Sequence, residues 1–184
     1  IALPAPSLYG QFKHLISASQ VLEGLLKMGF DDVFEVAEGA DIVTRAIRER
    51  MRGMGRDRSP VISSACPAIV RLIRVRFPEL IPHIIDVRQP MEVAAMLARE
   101  AAVQETGYPP GEIGVFFLSP CAAKVTDVRV PIGVDRSNVD GVLAISDIHG
   151  NLPFLKGVLA AAHYGPDDIL VLVGDLVEKG PDSL

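Results

Sequence analysis

The only two cysteines of this chain are the residues best suited to chemistry, and each lies next to a proline just after an apolar run. Cys66 closes the segment Val61–Cys66, and Cys121 closes the segment Val115–Cys121. A thiol at the end of a buried strand stands on a rigid edge that a ligand can reach. Two such thiols on two strands predict one shared site, and they indicate a metal or cluster rather than a stabilising crosslink.

The two cysteines alone leave three possibilities open: buried free thiols, ligands of a metal or an iron–sulfur cluster, and a disulfide. An iron–sulfur cluster takes about four thiolates, so two cysteines cannot complete one. Lys124 follows Cys121 by three residues and favours the ligand site, because its ammonium group can hold an anionic ligand in the same pocket. The alternative for Lys124 is an ordinary surface lysine.

A second candidate site lies near the C-terminal end, where Asp147 and His149 come directly after an apolar run. Residues i and i+2 share one side of a strand, so these two side chains can bind one cation. Asp175 follows the next apolar run and can bridge to a second cation. Two metals about 3.5–4 Å apart activate a hydroxide for phosphoryl chemistry. The alternative is a turn with a capping aspartate and an incidental histidine, but the combined spacing favours the metal site.

Alternating strands and helices must position these residues. The strands are continuous apolar runs, which is typical of a parallel sheet covered by helices on both faces. The predicted strands are Ile1–Ala5, Val33–Val36, Val61–Ser64, Ile113–Leu118, Val142–Ser146 and Ile169–Val173. The predicted helices are Ser17–Met28, Asp41–Arg52, Pro67–Phe77, Pro90–Thr106 and Leu152–His163. The predicted fold class is therefore α/β, a mostly parallel sheet followed by a βαβ unit, with the candidate ligands at the carboxyl edge of the strands.

The composition is that of a globular protein with one domain, or one domain and a piece of another. The 184 residues are 49% hydrophobic and 22% charged, with a net charge of −5. The acidic balance disfavours generic nucleic-acid binding, and the basic stretch Arg45–Arg58 is interpreted as the solvated side of a helix. No apolar run approaches the ~18 residues of a membrane span, and no signal peptide is visible. Reduced cysteines and a cytoplasmic location are therefore expected.

The cysteine segments resemble those of the iron-only (FeFe) hydrogenases, in the C-terminal domain of their large subunit. The segment Ser63–Pro67 is similar to the Thr-Ser-Cys-Cys-Pro segment of that family, and Pro120–Asp127 resembles its Pro-Cys-x-x-Lys-x-x-Glu segment. Further similar stretches lie at Ala5–Ser7, Leu25–Glu38 and Ser137–Val142. The resemblance covers roughly residues 1–145 and implies a hydrogenase cluster domain that activates or senses hydrogen.

This resemblance implies roles for three residues. Cys66 and Cys121 would be two ligands of the four-iron four-sulfur part of the hydrogen-activating cluster, and Lys124 would hold a cyanide of the di-iron part. Two departures weigh against rapid catalysis. Ala65 stands where the family has a proton-relaying cysteine, and Asp127 replaces the usual glutamate, which shortens the reach to the site. The family segment with two further cysteines is missing, so the pattern is closer to divergent or sensory members.

The C-terminal segment 142–184 resembles a different family, the calcineurin-like metallophosphoesterases of the protein-phosphatase and diadenosine-tetraphosphatase type. By that resemblance, Asp147 and His149 would hold one divalent metal such as manganese or iron, and Asp175 would bridge two. The pair Glu178-Lys179 stands where that family commonly has Asp-Arg. The later histidine ligands of that family are absent, so this resemblance implies only a truncated first βαβ unit.

The two resemblances meet near residues 144–149, and both sites are incomplete. We therefore expect a fused or misassembled gene product, a fragment cut at both ends and inactive both as a hydrogenase and as a phosphoesterase. A non-catalytic α/β domain that keeps only the fold is the third possibility. The expected partners are a redox protein or another subunit that supplies missing ligands.

Overall fold

The sheet of the protein has three short parallel strands. The computed structural model describes residues 1–11, 17–54, 60–119 and 121–143, together with the helical positions 153, 156, 157 and 160. Its strands are β1 (Ala2–Pro4), β2 (Phe116–Leu118) and β3 (Gly141–Leu143), in the order β1-β2-β3. In the register of this sheet, Leu3 lies opposite Phe117, and Phe117 lies opposite Val142. The predicted α/β class with a parallel sheet is confirmed.

Five α-helices connect and cover these strands in the described part of the chain. They are α1 (Ala18–Lys27), α2 (Val36–Arg52), α3 (Pro67–Arg76), α4 (Pro90–Thr106) and α5 (Ala122–Arg129). Helices α3 and α4 each begin with a proline, whose fixed φ suits the first helical position and whose missing N–H has no partner to lose there. Helix α4 ends at Gly107, which adopts the left-handed conformation that favours glycine.

Helices pack on both faces of the sheet, as predicted. Successive strand residues point to opposite faces, so Leu3 and Phe117 join one core while Ala2 and Leu118 join another. The first core takes in residues of α2 and α4, and the second takes in residues of α1. Full burial of a large apolar side chain such as Leu3 contributes about 1.5–3 kcal/mol.

The structure differs from the sequence-based prediction at two strands. The predicted strand Val33–Val36 reduces to a single bridge between Ala2 and Val33. Its last residue, Val36, is instead the first residue of α2, and its side chain packs in the first core. Of the predicted strand Val61–Ser64, a single bridge from Ile62 to Ile84 remains. Cys66 therefore follows a bridge outside the three-stranded sheet, and the prediction that it ends a strand of that sheet is wrong.

Helix α4 also organises the chain between α5 and β3. Arg99 of α4 pairs with Asp140 and donates from Nη1 to Asn138 O at 2.8 Å. Asp140 Oδ2 in turn accepts a hydrogen bond from Val115 N at 2.9 Å, just before β2. Two turns earlier on α4, the buried Glu92 accepts a hydrogen bond from Asn138 N at 2.8 Å. These bonds tie α4 to the residues that directly precede β2 and β3.

The predicted elements beyond β3 lie almost entirely outside the described residues. These are the end of the strand Val142–Ser146, the helix Leu152–His163 and the strand Ile169–Val173, with four helical positions described within 152–163. Among the helices that the structure describes, none is both long and apolar enough to cross a membrane.

Candidate functional site

The two cysteines occupy equivalent positions, each at the residue that caps the N-terminus of a helix. Cys66 caps α3 and Cys121 caps α5, and both have an extended backbone that turns into the helix. Both thiols are free and solvent-exposed. A helix N-terminus carries partial positive charge and favours negatively charged groups nearby. The folded chain therefore presents two accessible thiols in similar surroundings.

Lys124 joins the two cysteine segments. It lies in the first turn of α5, and its Nζ donates a hydrogen bond to Ala65 O at 2.9 Å. Ala65 directly precedes Cys66, and Lys124 follows Cys121 by three residues. A contact between residues 59 positions apart thus brings the start of α5 against the start of α3.

The side chain of Lys124 is half-buried. Burial lowers the pKa of Lys124 from its ordinary value, because desolvation disfavours the charged amine. The carboxylates of Asp127 and Glu92 act in the opposite direction, and so would Cys121 and Cys66 as thiolates. Both sulfur groups therefore lie within electrostatic reach of the same ammonium group.

Two residues that the sequence did not single out, Gln89 and Arg71, complete the surroundings of Lys124. Gln89 caps α4, and its Oε1 accepts a hydrogen bond from Lys124 Nζ. Its Nε2 donates to Asp127 Oδ2 at 2.6 Å. Arg71 Nη2 of α3 lies 3.7 Å from Asp127 Oδ1. The position of Gln89 before Pro90 predicts a helix cap, but it does not indicate a contact with Lys124.

A cavity of about 400 Å³ adjoins this group of residues. Gln89, Glu92 and Asp127 contribute polar groups to its wall, and Ile84 and Ile85 contribute apolar ones. The two cysteines are outside the lining of the cavity. The cavity therefore reaches the surroundings of Lys124 at Gln89 and Asp127, and the thiols lie beyond its wall.

The thiols fit part of an iron–sulfur site. Two cysteines are half of the thiolates that a four-iron four-sulfur cluster takes, and the chain has two in all. Within the described ranges, no group of three or more histidine, cysteine, aspartate or glutamate side chains could hold a metal ion. Cys66 and Cys121 would be ligands, and Lys124 would hold an anionic group beside them, but the described residues carry no complete catalytic step.

The C-terminal candidate site has no structural description. Asp147, His149 and Asp175 lie outside the described residues, so their role as metal ligands stays a prediction.

The model of one protein family matches most of the chain. Residues 1–153 match the iron only hydrogenase large subunit, C-terminal domain. The periplasmic Fe hydrogenase large subunit of Nitratidesulfovibrio vulgaris is 24% identical over 135 residues, which are 67% of this chain and 32% of the relative. The chain thus spans about a third of the length of that relative.

One solved structure shares the fold of this chain, and one enzyme matches a short stretch of its sequence. An apo FeFe-hydrogenase from Chlamydomonas reinhardtii covers 100% of this chain with a TM-score of 0.63 at 18% identity, and the matched part is 47% of that protein. At this identity the likeness concerns the fold. The symmetrical bis(5'-nucleosyl)-tetraphosphatase of Pectobacterium carotovorum is 51% identical over 41 residues, which are 22% of this chain and 15% of the relative.

Proposed function

The chain belongs to the family of the iron only hydrogenase large subunit, C-terminal domain, and on this premise we propose that it binds an iron–sulfur cluster at Cys66 and Cys121. Lys124 holds an anionic ligand of that cluster by a charge-assisted hydrogen bond. The hydrogenase-type domain spans residues 1–145. Its cofactor is a four-iron four-sulfur cluster, or the cluster of a hydrogenase, with the remaining ligands supplied from outside these residues.

The observation that carries this proposal is the hydrogen bond from Lys124 Nζ to Ala65 O at 2.9 Å. It holds the caps of α3 and α5 together, so the two exposed thiols become neighbours of one ammonium group. A positive group near two thiols suits an anionic cofactor, because thiolates and inorganic sulfide both carry negative charge. A pair of unrelated structural cysteines would need no such arrangement.

We propose that this domain senses hydrogen or is inactive in hydrogen turnover. A proton relay needs a group that accepts and donates a proton, and the methyl group of Ala65 does neither. Asp127 is buried and engaged with Gln89 rather than open to a reacting ligand. Lys124 is thus suited to holding an anionic ligand next to the thiols, but Ala65 has no group that could relay a proton.

Anaerobic reconstitution with iron and sulfide tests the proposal. With a small thiol added to supply the remaining ligands, we expect the chain to retain iron and acid-labile sulfide and to show visible sulfide-to-iron charge-transfer absorption, without evolving hydrogen from a reduced viologen. Substoichiometric iron with no such absorption would contradict cluster binding. Robust hydrogen evolution would contradict the proposed lack of turnover.

Missing ligands point to a partner. A redox protein or another hydrogenase subunit with additional cysteines would complete the thiolate set of the chain. A cytoplasmic location stays our prediction, although one relative is described as periplasmic.

A metal-dependent phosphoesterase is the second candidate function, and it concerns residues 142–184. The short match to a tetraphosphatase favours it, together with the spacing of Asp147, His149 and Asp175. A divalent metal such as manganese or iron would bind there as an incomplete site. We expect no hydrolysis of a chromogenic phosphate ester with added manganese. Turnover abolished by Asp147→Asn would overturn that expectation and favour a functional phosphoesterase.

A further inference from the structure

We infer that Gln89 is a positioning residue, whose side-chain amide holds the ammonium group of Lys124 between the two cysteine segments. This inference rests on the proposed function only in the role that it gives to Lys124, which is to hold an anionic ligand of the cluster. The arrangement itself is a property of the iron-free chain.

The amide of Gln89 links two side chains of opposite charge. Its Oε1 accepts from Lys124 Nζ, and its Nε2 donates to Asp127 Oδ2 at 2.6 Å. The reverse orientation would turn the amide N–H groups towards an ammonium and the carbonyl oxygen towards a carboxylate. Both contacts would be repulsive, because an ammonium only donates and a carboxylate only accepts. The two charged partners therefore fix the amide in one orientation.

Asp127 is held in turn by Gln89 and by the charge of Arg71. It is buried, and the described part of the chain offers it one hydrogen-bond donor, Gln89, because Oδ1 has no hydrogen-bond partner. Arg71 Nη2 stands 3.7 Å from that oxygen as a counter-charge and donates to Val130 O. A buried carboxylate that lost its donor would lower the stability of the fold, so the hydrogen bond stabilises the observed positions of both Gln89 and Asp127.

Three helices meet through this row of contacts. Gln89 precedes α4, Lys124 and Asp127 lie one turn apart on α5, and Arg71 comes from α3. No direct bond joins Lys124 to Asp127 among the described residues, so the amide is the link that sets the position of the ammonium. Without it, Lys124 Nζ would keep one hydrogen bond among the described residues, the one to Ala65 O.

Chemical labelling of lysine in the iron-free chain tests the inference. At one fixed pH, an amine-acylating reagent is added and the modification of each lysine is followed by mass spectrometry. Gln89→Leu is expected to raise the rate at Lys124 roughly tenfold, since a hydrogen bond to a charged group is lost. The exposed Lys27 and Lys156 serve as internal controls and keep their rates.

Two further variants separate positioning from folding. Gln89→Asn keeps an amide but is one methylene shorter, so it is expected to behave like Gln89→Leu. Gln89→Glu keeps an acceptor for Lys124 but removes the donor to Asp127, so it is expected to lower the stability of the fold and still preserve slow labelling of Lys124. An unchanged rate at Lys124 in Gln89→Asn, or equally fast labelling in Gln89→Glu and Gln89→Leu, would overturn the inference.

The labelling result is independent of cluster binding. Failure of reconstitution with slow labelling of Lys124 intact would remove the proposed function and leave the role of Gln89 standing. Fast labelling in the unmodified chain would remove the role of Gln89 and leave cluster binding to be judged by its own absorption.

Discussion

Replacing Cys66 and Cys121 together with serine is expected to lower the iron and sulfide retained after reconstitution by roughly tenfold or more, because thiolates are the ligands that iron–sulfur clusters require. The chain has no other cysteine that could substitute. The visible charge-transfer absorption should disappear with the iron. Iron analysis, acid-labile sulfide and the absorption spectrum measure the effect on the same sample.

The single variants Cys66→Ser and Cys121→Ser show whether the thiols act together. If both ligate one cluster, each single variant should lose most of the iron. Ala101→Ser introduces a serine on the exposed side of α4 and is the control that should retain iron like the unmodified chain. Equal iron content in the double variant and in the control would contradict ligation by these thiols.

Replacing Gly39 with alanine is expected to destabilise the fold by about 2–3 kcal/mol, because overpacking at a close backbone contact forces the helices apart. A Cβ atom at Gly39 would lie 2.6 Å from Pro90 O and 2.9 Å from Ala94 N. Both are atoms of α4, so the obstacle cannot move as a flexible side chain would. Urea denaturation followed by circular dichroism measures the loss.

Gly24 is the matched control for this substitution. It also lies inside a helix, α1, but a Cβ added there has no heavy atom within 4 Å. Gly24→Ala should therefore stabilise the chain by about 0.5–1 kcal/mol through helix propensity. Equal free energies of unfolding for Gly39→Ala and Gly24→Ala would contradict the close approach of α2 to α4.

The sequence was sufficient to predict most of the helices and the class of the fold. The predicted helix Pro90–Thr106 has the observed bounds of α4, and the proline at its first position and the glycine after its last one agree with those bounds. Helix α5 was missed, because Ala122–Arg129 has no regular apolar stripe and its position depends on tertiary contacts. The strand expected at Val61–Ser64 reduces to one bridge, since its apolar part is only two residues long.

The candidate site was predictable only where a residue type is rare. Two cysteines beside prolines stand out in any sequence, and Lys124 was found through its spacing from Cys121. Gln89 and Arg71 are common residue types at unremarkable positions, and they become informative only when folding places them against Lys124 and Asp127. Contacts between distant segments leave no local pattern, so single-sequence reasoning could not find them.

The measurement that tests the account most directly is the proximity of the two thiols in the iron-free chain. Nitroxide spin labels attach to Cys66 and Cys121, which are the only cysteines and are both exposed. If the two thiols share one site, the electron paramagnetic resonance spectrum of the doubly labelled chain is broadened by spin–spin coupling. The sum of the two singly labelled spectra, from Cys66→Ser and Cys121→Ser, is the reference. A doubly labelled spectrum identical to that sum would contradict a shared site.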